Sequence, residues 1–124
     1  MVILDTNAIL RVILKDNIEM ESIVKSTLLE QSCLITVEVV AEVVYVLTKV
    51  YQINRKAVAN MLQNFFRIKN IRISKREVVS FALTLFGNSN LSFVDALLVS
   101  YSKIENCDVL TFDKELKKYL ANTK

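Results

Sequence analysis

The chain has 124 residues, a formal net charge of +3 at pH 7 and a hydrophobic content of 52%. This length suits one domain with a buried core, and we expect residues 1–124 to form a single unit. The absence of histidine excludes Ser-His-Asp catalysis, Cys-His catalysis and zinc sites built on imidazole. The high apolar content suggests that a partner chain covers part of the surface, so we expect an oligomer.

Neither a membrane segment nor a signal peptide is expected. Charged residues interrupt every apolar stretch before it reaches the roughly 18 residues that a spanning helix needs. Asp5 lies where a signal peptide would pass from a basic to an apolar region. We therefore expect a cytoplasmic protein without membrane contact. Cys33 and Cys107 lack the close pairing of a metal knuckle, and both are predicted core residues because they flank apolar segments.

Short apolar runs alternate with longer segments of helical spacing along the chain. The runs predict four strands, at residues 2–4, 33–36, 71–73 and 109–112. The longer segments predict seven helices, at residues 8–14, 18–31, 37–51, 55–67, 74–86, 92–105 and 113–120. Asn54, Ser74 and Ser92 lie where helix N-caps are expected, and Gly87 lies where a C-terminal cap is expected. Since parallel neighbours need crossover helices, the alternation predicts an α/β sandwich with a parallel sheet.

The segment 37–51 has two interpretations. Its many valines favour a strand by propensity alone. However, the run is too long for a typical strand, strict alternation fails, and Glu38 and Glu42 are spaced to share one helix face. We therefore predict a helix, apolar nearly all round and buried on more than one side.

Four acidic residues are predicted near the carboxyl ends of the strands, where ligands gather in such sheets. Asp5 ends the first strand, Glu42 lies in the helix leaving the second, Asp95 opens the helix leading to the fourth, and Asp113 follows the fourth. Each has a local alternative, as a helix cap or a rim residue. Burying several carboxylates together is unfavourable unless a cation neutralises them. Ligand oxygens without histidine or cysteine favour Mg²⁺ or Mn²⁺, which can activate water against a phosphodiester.

Four short blocks carrying these acids resemble, in order, the signature blocks of the PIN-domain family: Leu4-Asp5-Thr6-Asn7, Ala41-Glu42-Val43, Phe93-Val94-Asp95-Ala96-Leu97 and Leu110-Thr111-Phe112-Asp113-Lys114. The resemblance implies a three-layer α/β/α sandwich with a central parallel sheet of four or five strands. It also implies a Mg²⁺- or Mn²⁺-dependent endoribonuclease, with the metal between Asp5, Glu42, Asp95 and Asp113. By the same matching, Asn7 and Thr111 are polar helpers that orient a carboxylate, a water or the scissile phosphate.

The compact size is most similar to that of VapC-type ribonuclease toxins of toxin–antitoxin pairs. This resemblance implies a homodimer, an RNA substrate and a cognate antitoxin protein that blocks the site. We expect the antitoxin on exposed apolar positions of the helices between residues 37 and 66. One departure from the family pattern lies at residues 120–124, which offer little for a fifth strand.

Basic residues are concentrated between Lys49 and Arg76, with no acid between them. Charges on amphipathic helices usually face solvent. We therefore prefer to interpret the stretch as a solvated surface, and an RNA-binding groove is the second interpretation. Arg55, Lys56 and Lys114 are the candidates for phosphate contacts.

Other functions and roles remain open at this point. Glu38 is a weaker candidate for the role of Glu42. A non-catalytic RNA- or partner-binding module on the same fold is one alternative function. Phosphotransfer on Asp5 is another, although haloacid-dehalogenase-like enzymes need a second aspartate where this chain has Asn7.

Overall fold

The computed structural model describes residues 1–122. In this range the chain forms three strands, β1 to β3, at Val2–Ile3, Cys33–Ile35 and Ile71–Ile73. It also forms seven α-helices, α1 to α7, at Thr6–Leu14, Ile18–Glu30, Val37–Tyr45, Arg55–Phe65, Arg76–Gly87, Phe93–Glu105 and Lys114–Asn122. None of the helices in this range is both long and apolar enough to cross a membrane.

The strands form one parallel sheet in the order β1-β2-β3. Val2 lies opposite Cys33, which in turn lies opposite Ile71. Helices α1 and α2 connect β1 to β2, and α3 and α4 connect β2 to β3, as parallel pairing requires. The structure therefore confirms the predicted α/β class with a parallel sheet.

The valine-rich segment is helical, as predicted from its length and its failed alternation. Helix α3 places Val40 and Val43 in the core, and Thr36 caps it by accepting a hydrogen bond from the Val39 amide. At Val46–Val50 the backbone changes from α to π geometry, so that the Tyr51 amide donates to the Val46 carbonyl.

Local capping follows the predictions at some helix starts and not at others. Asn54 accepts from the Ala57 amide at 2.8 Å, and Ser92 accepts from the Asp95 amide at 3.1 Å. The predicted cap at Ser74 is wrong, because α5 begins after Lys75, whose backbone is left-handed with φ of 54°.

Gly87 does not form the predicted C-terminal cap. It is the last residue of α5, and its φ is not positive. A Cβ at this position would lie 3.1 Å from the Ala59 Cβ. The glycine therefore allows α5 to approach α4 closely.

The predicted fourth strand at 109–112 is absent from the described residues. The segment 106–113 is irregular, and the side chains of Leu110 and Phe112 are 90% and 89% exposed. An apolar run becomes a strand only when an edge pairs with it, and β1 pairs with β2 alone. Cys107, predicted to be a core residue, is exposed in this segment, whereas Cys33 is buried as predicted.

The C-terminal part of the chain is helical as far as it is described. Helix α7 packs on α6, and Leu116 fills a small cluster with Leu91 and Val99. Residues 120–122 end this helix, and the remainder of the doubtful fifth-strand segment, 123–124, lies outside the described residues. The sheet as described thus has three strands in place of the four or five predicted.

Candidate functional site

Asp5 follows β1 at the carboxyl end of the sheet, as predicted. Its Oδ1 accepts a hydrogen bond from the Ala8 amide at 2.9 Å, so Asp5 is the N-cap of α1. The side chain is exposed, and so is that of Asn7 in the first turn of the same helix. A capping carboxylate still presents its second oxygen, so capping leaves Asp5 able to bind a cation.

Glu42 and Asp95 lie on helices that are brought together by packing. Helix α3, which carries Glu42, contacts both α1 and α6, and Asp95 lies in the first turn of α6. Glu42 is exposed and Asp95 is half-buried. Within residues 1–122, neither carboxylate accepts a hydrogen bond or forms an ion pair. Both are therefore available for a ligand.

The exposure of these acids corrects one step of the sequence argument. The valines around Glu42 lie on the buried face of α3, while Glu42 faces solvent. Asp5 and Asp113 are exposed as well. The carboxylates do not need a cation to offset burial, and support for a metal must come from ligand chemistry instead.

Asp113 is placed by the start of α7. Its Oδ1 accepts from the Leu116 amide at 2.9 Å, and its own amide donates to Thr111 Oγ1 at 3.1 Å. Asp113 and Thr111 therefore interact with each other, but no strand carries them to the edge of β1. The local alternative, helix capping, is confirmed for both Asp5 and Asp113.

The donor chemistry of these residues fits a hard divalent cation. Carboxylate and amide oxygens are available, and Mg²⁺ usually takes one or two carboxylates and completes its shell with water and phosphate. Across the described part of the chain, however, no three acidic or cysteine side chains surround a common point. The structure thus fits a cation held by few protein ligands, and it does not assemble the predicted four-carboxylate cluster.

Arg55, a predicted phosphate contact, is engaged within the protein. Its Nε donates to the Phe86 carbonyl at 3.1 Å, and its Nη2 donates to the Leu91 carbonyl. The guanidinium carbon also lies 3.8 Å from the centre of the Phe86 ring. Burial lowers the pKa of Arg55. Arg55 therefore joins the start of α4 to the loop before α6, whereas Lys56 and Lys114 are exposed.

A cavity of about 750 Å³, lined by sequence neighbours of Glu42 and Asp95, was missed by the sequence analysis. It lies between α3 with its π-helical extension and the starts of α4 and α6. Its lining includes Tyr45, Lys49, Lys56, Phe86, Phe93 and Val94. These residues come from separate stretches of the chain, so no local motif could have revealed the cavity.

Comparison with known proteins supports the resemblance to the PIN-domain family. The PIN domain family model matches residues 2–120. Comparison with curated proteins gave no match, and comparison with solved structures gave none either. PIN domains are typically nucleases and usually bind divalent metal ions. Because the match spans nearly the whole chain, this protein belongs to the PIN-domain family.

Proposed function

We propose that the protein is a metal-dependent endoribonuclease whose functional residues are Asp5, Glu42, Asp95 and Asp113, with the cation held by few of these carboxylates at a time. One observation carries this proposal. In a PIN domain, the unpaired carboxylates of Glu42 and Asp95 lie on helices packed together, and α3 also contacts the helix that Asp5 caps.

The roles of the residues follow from their chemistry. When bound, Mg²⁺ or Mn²⁺ would supply a Lewis acid for the phosphodiester and a means of ionising water at neutral pH. Asp5 and Asp95 would hold the cation, and Glu42 would hold it or orient the attacking water. The exposed side-chain amide of Asn7 can donate to a phosphate oxygen. The Thr111 hydroxyl positions Asp113 by accepting a hydrogen bond from the Asp113 backbone amide.

Beyond the chemistry, we propose a cytoplasmic VapC-type toxin that forms a homodimer and is blocked by a cognate antitoxin. Exposed apolar side chains support a surface that the antitoxin covers. Tyr45, Val50 and Tyr51, at and beyond the end of α3, are 62%, 64% and 45% exposed. They lie in the stretch between residues 37 and 66 where an apolar antitoxin segment is expected to bind.

A non-catalytic RNA-binding PIN domain is the second candidate. The observation that favours it is the absence of a three-acid cluster within residues 1–122. This alternative predicts RNA binding without cleavage in any divalent metal.

Cleavage of a labelled single-stranded RNA tests the proposal. We expect cleavage with Mg²⁺ or Mn²⁺ and none with EDTA. Asp95→Asn and Glu42→Gln should each reduce the rate by about 100-fold or more, since each removes a charged group at the reacting centre. Glu38→Gln tests the weaker candidate on the same helix, and Glu19→Gln on α2 is the matched control. Cleavage that is undiminished in both Asp95→Asn and Glu42→Gln would contradict the proposal.

A further inference from the structure

The cavity is lined by close sequence neighbours of two proposed site residues, Glu42 and Asp95. Tyr45 lines it and lies three residues after Glu42, so the two side chains share a face of α3. Val94, on the opposite wall, directly precedes Asp95. Neither carboxylate lines the cavity, but a ligand that fills it would lie next to the helix turns that carry Glu42 and Asp95.

The interior of the cavity suits a flat aromatic group. Phe86 and Phe93 are buried at its base and pack edge to face, with ring centres 5.9 Å apart. Tyr45 lines the cavity from α3 and is 62% exposed. An exposed aromatic ring beside an apolar base offers a stacking surface to a nucleobase, regardless of its identity.

The rim of the cavity suits phosphate. Lys49 and Lys56 line it, and no acidic residue does. Neither lysine forms an ion pair with any residue between 1 and 122. The cavity also faces the starts of α4 and α6, where the helix dipoles add positive potential. This positive charge attracts the phosphate of a nucleotide and disfavours a basic protein segment.

The π-helical segment forms part of the same wall. Val46–Val50 contributes Thr48 and Lys49 to the lining, and the Thr48 hydroxyl is bound to the Val44 carbonyl at 2.8 Å. Segments of π-helix are rare and occur frequently at functional sites.

We propose that this cavity binds one unpaired nucleotide of the RNA substrate, adjacent to the bond that is cleaved. The base packs against Tyr45 above Phe86 and Phe93, and the phosphate pairs with Lys49 and Lys56. This inference rests on the proposed ribonuclease function. It restricts the substrate to single-stranded RNA, because only a base free of its partner can enter the cavity.

Binding measured without cleavage tests this proposal. A fluorescently labelled single-stranded RNA is titrated with the full chain in EDTA, and its anisotropy is recorded. Tyr45→Ala should weaken binding at least about fivefold through the loss of stacking. Tyr51→Ala, an exposed tyrosine outside the cavity, is the matched control. Lys49→Gln should reduce the salt dependence of affinity by about one unit of slope, whereas Lys118→Gln on α7 is its control.

RNAs that lack a single base locate the nucleotide in the cavity. One abasic position should weaken binding to the wild-type chain and leave binding to Tyr45→Ala unchanged. Equal affinities for Tyr45→Ala and Tyr51→Ala would overturn the proposal, and so would equal losses at every abasic position. Sedimentation that shows a wild-type dimer and a Tyr45→Ala monomer would also overturn it, by assigning the surface to a second copy of the chain.

The two proposals can fail separately. If the wild-type chain cleaves RNA and the cavity variants bind like their controls, the ribonuclease stands and the nucleotide site is overturned. If Tyr45→Ala weakens RNA binding relative to Tyr51→Ala and no divalent metal supports cleavage, the nucleotide site stands and the ribonuclease is overturned.

Discussion

The two edges of the sheet are finished in different ways. On the β3 side, the Arg76 guanidinium donates to the carbonyls of Phe66 and Ile71, and Ile71 itself is 2% exposed. On the β1 side, Ile3 is 62% exposed and the apolar segment 106–113 is not paired as a strand. Similar short apolar runs therefore become sheet only where other side chains and strands complete the edge.

The largest expected effect is a difference in thiol labelling between the sheet, which contains Cys33, and the unpaired segment 106–113, which contains Cys107. Cys33 is buried in β2, and burial raises the pKa of its thiol, which lowers its thiolate fraction. Cys107 is exposed in the segment 106–113. Under native conditions Cys107 should react with a thiol reagent more than about 1000-fold faster than Cys33, which must wait for the fold to open. Cys33→Ser retains only Cys107, and Cys107→Ser retains only Cys33. Comparable labelling rates for these two variants would show that the segment 106–113 is covered.

The next largest effect is expected when one isoleucine is truncated in the buried central strand β2 and another in the exposed edge strand β1. Ile35 in β2 is fully buried, so Ile35→Ala should lower the free energy of unfolding by about 2–5 kcal/mol. Ile3→Ala in β1 should lower it by less than about 1 kcal/mol, because most of that side chain already contacts solvent. Urea unfolding measures both. A loss at Ile3 as large as that at Ile35 would mean that another surface covers β1.

Removal of the guanidinium that closes the β3 edge should have a smaller effect. Arg76→Met leaves two carbonyls without their donor and should lower the free energy of unfolding by about 1–2 kcal/mol. Arg72→Met, at an exposed position on β3 itself, is the control and should change it by less than about 0.5 kcal/mol. If the two substitutions have equal effects, Arg76 does not stabilise this edge.

The smallest effect is expected from the surface ion pair just beyond β3. A hydrogen bond and the charge of Glu105 raise the pKa of Lys75. The stabilisation is fully present below the lysine pKa of the unfolded chain and is lost as pH rises through the raised pKa of the folded chain. The stability difference between wild type and Lys75→Met should therefore shrink in alkaline solution. A difference that stays constant with pH would assign it to packing on Tyr101.

Local signals in the sequence predicted the helix caps at Asn54 and Ser92, but not the helix ends at Ser74 and Gly87. Asn54 and Ser92 cap their helices because a side-chain oxygen two or three residues from a free amide needs no distant partner. The strand at 109–112 failed because its formation depends on an edge elsewhere in the fold. The site was predicted in part for the same reason. The elements that carry Asp5, Glu42 and Asp95 could be predicted from the sequence, but the distances between their side chains could not.

Arg55 fixes the wall of the cavity relative to the start of α6. It holds the carbonyls of Phe86 and Leu91, which lie on either side of the loop 88–90. Asn88 and Ser89 are bonded to Thr84 and Leu91, so the Asn90 side chain is the one in this loop that can be exchanged while the position of Asp95 is kept. For the proposed nucleotide site, this separation offers a route to altered preference by engineering, in which Asn90 at the cavity wall is varied and the proposed cleavage residues are left in place.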